Sequence, residues 1–167
     1  VLYNPQVAEP GYHRLPLSLL HLAGSLEGRY GYRVVDGNLM RDGSALDAVL
    51  SCAARDRTRY LGISLMPGPQ LQRAIPDLLS IRRHAPQLTT ILGGYFPSLY
   101  PDVCARHGAV DYVVVGPGEE TLVELLDALE AGRAPEDVAG LVYRRGDDLV
   151  HTAVRQPKDP DTLPDLP

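Results

Sequence analysis

The sequence predicts an α/β chain built on a doubly wound, five-stranded parallel sheet, with a β-hairpin towards its C-terminal end. Three observations predict it. Between Val1 and Glu130, short apolar runs alternate with amphipathic segments five times, the pattern of a parallel sheet covered by helices on both faces. Beyond Gly140 the period shortens to two strand-like runs around a polar turn, which reads as a hairpin. The 167 residues, 44% of them apolar, suffice for one domain with a real core.

Each element follows from local signals. Val1 to Tyr3 ends a strand that Asn4-Pro5 closes. Leu17 to Glu27 carries leucines at helical spacing and stops at Gly28. Tyr32 to Asp36 is the second strand; Ser44 is placed to cap a helix through Ala54, ahead of Arg55, Arg57 and Arg59. Tyr60 to Ser64 is the third strand, and Gln70 to His84 a helix in which Pro76 marks a kink or a late first turn. Thr89 to Leu92 is the fourth strand, Leu99 to His107 a short helix and Asp111 to Val115 the fifth strand. Glu119 to Glu130 starts on two acids, which the helix dipole favours, and ends at Gly132. The hairpin pairs Gly140–Tyr143 with Leu149–Thr152 across Arg145–Asp148. From Gln156 the Pro/Asp-rich QPKDPDTLPDLP reads as a linker.

Composition removes several functions. The net charge is −5 and the arginines are scattered, which argues against nucleic acid as a partner. Lys158 is the only lysine, so there is no Gly-Lys-Ser/Thr phosphate loop and no lysine nucleophile in the folded body. Cys52 and Cys104 stand alone, each in a predicted helix, and read as buried reduced thiols. No apolar run reaches the roughly 18–20 residues of a membrane span. With no signal peptide visible, a soluble, cytoplasmic setting is expected; the start on Val1 reads as a trimmed end.

In an open parallel sheet, ligands bind at the carboxyl ends of the strands. Three of the five loops there are rich in Gly and Pro: MPGPQ (66–70), GGYFPS (93–98) and GPGEET (116–121). They offer backbone and shape with little acid–base chemistry, which suits a large ready-made cofactor. Two adjacent glycines after a buried strand suggest that something lies against bare main chain. A dinucleotide fold lacks its GxGxxG here: the first loop is NPQVAEPGYHRLP, although Asp36 sits where a ribose-binding acid would. A phosphoreceiver domain would need acids after the first strand, Asp after the third and Lys after the fifth; Asn4-Pro5, Leu65-Met66 and Gly116-Pro117 stand there instead.

The ordered set Ser64-Leu65-Met66, Gly93-Gly94 and VDYVVVGPGEET (110–121) resembles the SxL, GG and GEGE-T motifs of cobalamin-binding domains. The likeness is nearest to the domains preceding the barrel of cobalamin-dependent radical S-adenosylmethionine enzymes, and Leu15 to Gly37 is similar to their first helix and second strand. It covers about residues 1–155 and implies a flavodoxin-like, Rossmann-like cobalamin-binding fold, with residues 156–167 leading to a radical S-adenosylmethionine domain. It further implies that Ser64 bonds the buried nucleotide tail and that Gly93-Gly94 let the tail lie on backbone, where a Cβ would meet the ligand. Leu65, Met66 and Gly68 would face the corrin, and Gly116, Gly118, Glu119 and Thr121 would flank the tail. Gln70, Tyr95 and Pro97 complete the expected cofactor-binding set. No residue is expected to be catalytic.

The family's DxHxxG motif is absent. His13 lies in the corresponding loop, but Gly11 and Pro16 stand where that motif has Asp and Gly, so His13 is only a weak candidate for the cobalt ligand. The resemblance implies S-adenosylmethionine and a 4Fe-4S cluster in a further domain, since two cysteines cannot supply a three-cysteine cluster site. The parent enzyme would pass a methyl group from S-adenosylmethionine through cobalamin to substrate. Three other readings stay open on the residues. One is a flavodoxin-like flavin or nucleotide binder, which would want a Ser/Thr-rich first loop. Another is a structural doubly wound domain without cofactor. The third is a free-standing corrinoid shuttle, which would want the axial histidine.

Overall fold

The computed structural model describes residues 1–6, 15–40, 45–55, 58–157, 159 and 166–167. Ser44 and His13 lie outside them, so neither the expected cap nor the weak cobalt candidate has a structural account. The elements run β1 (Leu2–Asn4), α1 (Leu17–Leu26), β2 (Val34–Asp36), α2 (Ala45–Arg55), β3 (Tyr60–Ser64), α3 (Pro69–His84) and β4 (Thr89–Gly93). They continue with α4 (Tyr95–Leu99), α5 (Pro101–Arg106), β5 (Tyr112–Val114), α6 (Glu119–Glu130), a 3-10 turn at Pro135–Asp137, β6 (Leu141–Arg145) and β7 (Asp148–His151).

Seven strands form one sheet in the order β2-β1-β3-β4-β5-β6-β7. The first five are parallel, as the alternation requires. The hairpin does not stand apart: it extends the same sheet antiparallel, Val113 opposite Val142 and Val114 opposite Leu141. Its turn is the two residues between Arg145 and Asp148, with Gly146 at φ +65 as such tight hairpins favour.

Three boundaries differ from expectation, each for a local reason. The helix expected from Leu99 is two helices, because Pro101 starts a new one and disfavours helical backbone at Tyr100 (φ −130, ψ 55). The first of them begins at Tyr95, directly after β4, so GGYFPS is mostly helix rather than loop. Helix α3 starts at Pro69, a first-turn position that suits proline, and runs through Pro76. Pro76 and Gln72 are both exposed, so the Gln72 carbonyl left without its N–H partner can be met by water.

Strand alternation divides the core in two. Tyr3, Leu61, Ile63, Leu92 and Val113 pack with α2, α3 and α5. Leu2, Ile91, Val114 and Leu141 pack with α1 and α6. The first face is reinforced by the buried Tyr3 hydroxyl, which donates to Asp77 of α3 at 2.6 Å. Both cysteines are buried free thiols in α2 and α5.

Candidate functional site

Strand β3 sends Leu61 and Ile63 to the α2/α3 side, so Gly62 and Ser64 fall on the α1/α6 side. Strand β4 does the same with Leu92 on one side and Ile91 and Gly93 on the other. Register pairs Gly62 with Ile91 and Ser64 with Gly93. The carboxyl ends of the two central strands therefore carry almost no side-chain volume on one face. The result is a groove of about 160 Å³ between α1 and α6, open at the carboxyl edge of the sheet. Its floor is Gly62, Ile91, Gly93 and Val114; Leu22 and Leu122 wall it; Ser18, Ser64 and Gly116 to Glu119 border its mouth. The hydroxyls of Ser18 and Ser64 are 3.1 Å apart there.

The cleft also opens at the amino-terminal edge, into a larger cavity of about 460 Å³ that shares Gly62, Ile91 and Leu122 with the groove. Size favours that end, yet chemistry favours the other. At the amino edge the Tyr60 hydroxyl already donates to Glu130 at 2.6 Å and the Tyr30 hydroxyl to Asp127 at 2.5 Å. Burial and these carboxylates push both phenols up to about 12. The carboxyl edge holds the glycine-rich loops and bare main chain, where parallel sheets bind ligands.

The two adjacent glycines play separate roles. A Cβ on Gly93 would meet only Val114 Cβ, at 3.7 Å, so the absent side chain leaves space in the groove itself. Gly94 sits at φ +93, and a Cβ there would lie 2.9 Å from Leu65 N, Leu65 O and Ser64 Oγ. A Cβ at Gly94, expected to meet a ligand, would thus already meet the protein itself. Gly94 is required because β4 turns into α4 against the end of β3, where Gly93 O accepts from Leu65 N–H at 2.8 Å and Leu65 O from Phe96 N–H at 3.0 Å.

Other residues of the expected set also brace the frame. Leu65 is 2% exposed and packs in the α2/α3 core, so it does not face the strand-end surface. Gln70 is equally buried; its amide accepts from Met66 N–H at 2.7 Å and donates to Asn4 Oδ1 and Pro5 O, each at 3.0 Å. Gln70 thus ties the ends of β1 and β3 together. Thr121 is fully buried: its hydroxyl lies 3.1 Å from Ala139 O and accepts from Arg155 Nε at 2.6 Å. Arg155 also pairs with Glu120 and Glu124, fastening the end of the hairpin to the first two turns of α6. Pro97 is buried in α4. Met66 and Tyr95 are more than half exposed at the strand ends, Gly68 starts α3 at φ +99, and Gly116, Gly118 and Glu119 line the mouth.

The groove also uses Ser18, Leu22, Ile91, Val114 and Leu122, which sequence reading did not single out. Gly62, a glycine between Leu61 and Ile63 inside a strand, was the visible signal for it. Among the described residues no three His, Cys, Asp or Glu side chains gather as a metal site, and no helix is long and apolar enough to cross a membrane.

Residues 4–126 match the family model of the B12 binding domain. The chain is 32% identical over 75 residues to the anaerobic magnesium-protoporphyrin IX monomethyl ester cyclase of Synechocystis sp., covering 44% of this chain and 15% of that one. It is 25% identical over 169 residues to the cytidylyl-2-hydroxyethylphosphonate methyltransferase of Streptomyces wedmorensis, covering 91% and 32%. Among solved structures, the radical S-adenosylmethionine methyltransferase TsrM of Kitasatospora setae, with cobalamin and a [4Fe-4S] cluster bound, superposes with a TM-score of 0.77 at 22% identity. That match covers 99% of this chain and 30% of TsrM and shows a shared fold. The chain spans no more than about a third of the length of these relatives.

Proposed function

The chain belongs to the family of B12-binding domains and carries cobalamin, and on that premise we propose that it is the cofactor domain of a cobalamin-dependent radical S-adenosylmethionine enzyme. Residues 1–155 form the domain, and residues 156–167 lead towards the catalytic domain that supplies S-adenosylmethionine chemistry and the 4Fe-4S cluster. The relatives named methyltransferases support methyl transfer as the reaction of the whole enzyme. When bound, cobalamin supplies a cobalt centre suited to that transfer. The two buried free thiols support a reducing, cytoplasmic setting.

One observation carries the reading: the central strands of a parallel sheet end in Gly62, Ser64 and Gly93 on one face, above a groove walled by aliphatic side chains. The fit to cobalamin is chemical as well as spatial. A cavity of about 150 Å³ lined by aliphatic residues holds one benzene ring, and this groove, of similar size, is open at its mouth. It can take the flat base of a nucleotide tail edge first. Gly93 leaves room for it, Gly62 and Gly118 let Leu2 and Leu22 pack closely beside it, and Ser64 and Ser18 offer hydroxyls to the polar part of the tail. Met66, Gly68 and Tyr95 present surface beneath the corrin, and Gly116 and Glu119 border the tail. Leu65, Gln70, Gly94, Pro97 and Thr121 hold that frame from behind.

The test is a spectrophotometric titration with hydroxocobalamin followed by desalting. One equivalent of corrin absorbance eluting with the chain is expected. A folded chain that retains none would overturn the reading.

A further inference from the structure

We propose that the groove selects corrinoids by the chemistry of the lower base, accepting a benzimidazole and disfavouring a purine. This rests on the reading of the groove as the seat of the nucleotide tail. Size does not separate the two ligands, because both bases are flat fused bicycles. Polarity does. An adenine carries an exocyclic amine and additional ring nitrogens where dimethylbenzimidazole carries methyl groups and ring carbons.

The aliphatic wall of the inner groove has nothing to offer those polar atoms. Ile91, Val114 and Leu122 are each no more than 5% exposed, and Leu22 closes the wall beside them. Several nearby backbone groups are already engaged. Gly93 O accepts from Leu65 N–H at 2.8 Å, and Gly94 O accepts from Ser98 N–H at 3.2 Å and from the Ser98 hydroxyl at 2.8 Å. Gly116 N–H donates to Ser98 Oγ at 3.0 Å, Pro117 has no N–H, and Gly118 O accepts from Leu122 N–H at 2.8 Å. The polar side chains of the lining, Ser18, Ser64 and Glu119, are at the better-exposed mouth. A purine seated like a benzimidazole would bury its polar edge against aliphatic carbon. One polar group buried without a partner weakens binding by about tenfold or more. The methyl groups of dimethylbenzimidazole gain from the same surface.

The experiment titrates the purified chain with three corrinoids: hydroxocobalamin, its analogue with adenine as lower base, and dicyanocobinamide, which has no nucleotide tail. Hydroxocobalamin is expected to bind most tightly, with the adenine analogue weaker by about tenfold or more and cobinamide also weaker than hydroxocobalamin. Equal affinity for the two complete corrinoids would overturn base selection while leaving cobalamin binding intact. Equal affinity for all three would overturn it by removing the tail from the groove. Binding of none would overturn the proposed function, and base selection with it. The variant Leu22→Gln, which places an amide beside the groove, is expected to shrink the cobalamin-to-adenine-analogue ratio while leaving cobinamide affinity unchanged. A ratio unchanged by that variant counts against the groove as the discriminating site.

Discussion

On the face covered by α2, α3 and α5, strands β3 and β4 present Leu61, Ile63 and Leu92, all at most 3% exposed. On the face covered by α1 and α6, the same two strands present Gly62, Ser64 and Gly93 at their carboxyl ends, with Tyr60 and Ile91 as their large side chains there. The backbone, the register and the neighbours along the chain are shared, so the difference lies in side-chain volume alone. Protein interiors normally fill such space to crystal-like density, and an unfilled wall loses dispersion contacts. A groove of about 160 Å³ beside a well-packed core is thus a cost in stability, of the kind retained where a ligand supplies the missing atoms. One face of the sheet holds the chain together; the other keeps an open groove.

The largest effect expected from this contrast is on the packed face. Leu61→Ala removes a fully buried side chain and should cost about 2–5 kcal/mol in urea unfolding, with cobalamin affinity per folded molecule unchanged. A variant that stays stable yet loses cobalamin would break the division between the faces. Next comes Gly94→Ala. Its φ of +93 and the 2.9 Å approach to Leu65 backbone leave a methyl nowhere to go. The fold itself should lose about 1–3 kcal/mol, measured the same way without any corrinoid present.

Gly93→Ala sharpens the contrast, because it adds the same methyl one residue earlier. Here the nearest atom is Val114 Cβ at 3.7 Å, an ordinary contact. Stability should move by less than about 1 kcal/mol, while the occupied groove space lowers cobalamin affinity by about tenfold or more. The pair of substitutions separates what GG does for the protein from what it does for the ligand. Equal behaviour of the two variants would sink that separation.

Those two glycines also mark how far the sequence could be read. The five alternating runs identified the parallel sheet, because period and punctuation are local, and the ordered SLM, GG and GPGEET segments pointed to the edge where the groove opens. Whether a loop residue points out or back is not local. Leu65 follows Ser64 by one residue, and that single step of the pleat turns it into the opposite core. Gln70 and Thr121 look like polar loop contacts in sequence, yet both are consumed by backbone carbonyls and neighbours brought in from β1, the 3-10 turn region and Arg155. Ser18, Leu22 and Leu122 were hidden for the converse reason. They sit on two helices about a hundred residues apart, which meet only once the sheet has formed.

The smallest expected effect places one reactive group on each face. Cys104 belongs to the packed face, and burial pushes its thiol up from 9.0 to about 11. The unfolded chain gives up this proton near the ordinary value, while the folded chain keeps it until about pH 11. Within that interval the folded state binds more protons, so its stability falls as pH rises; below it, the contribution is fully present. At neutral pH the thiolate is scarce and the sulfur covered, so iodoacetamide should label Cys104 only as fast as the chain unfolds. Ser64→Cys puts a thiol at the open groove, only partly buried, and should label without unfolding. Bound hydroxocobalamin should slow that second reaction and leave the first unchanged. Rapid native-state labelling of Cys104, or no protection of the thiol at position 64 in a chain that retains corrin, would show that the closed and open faces have been assigned to the wrong sides of the sheet.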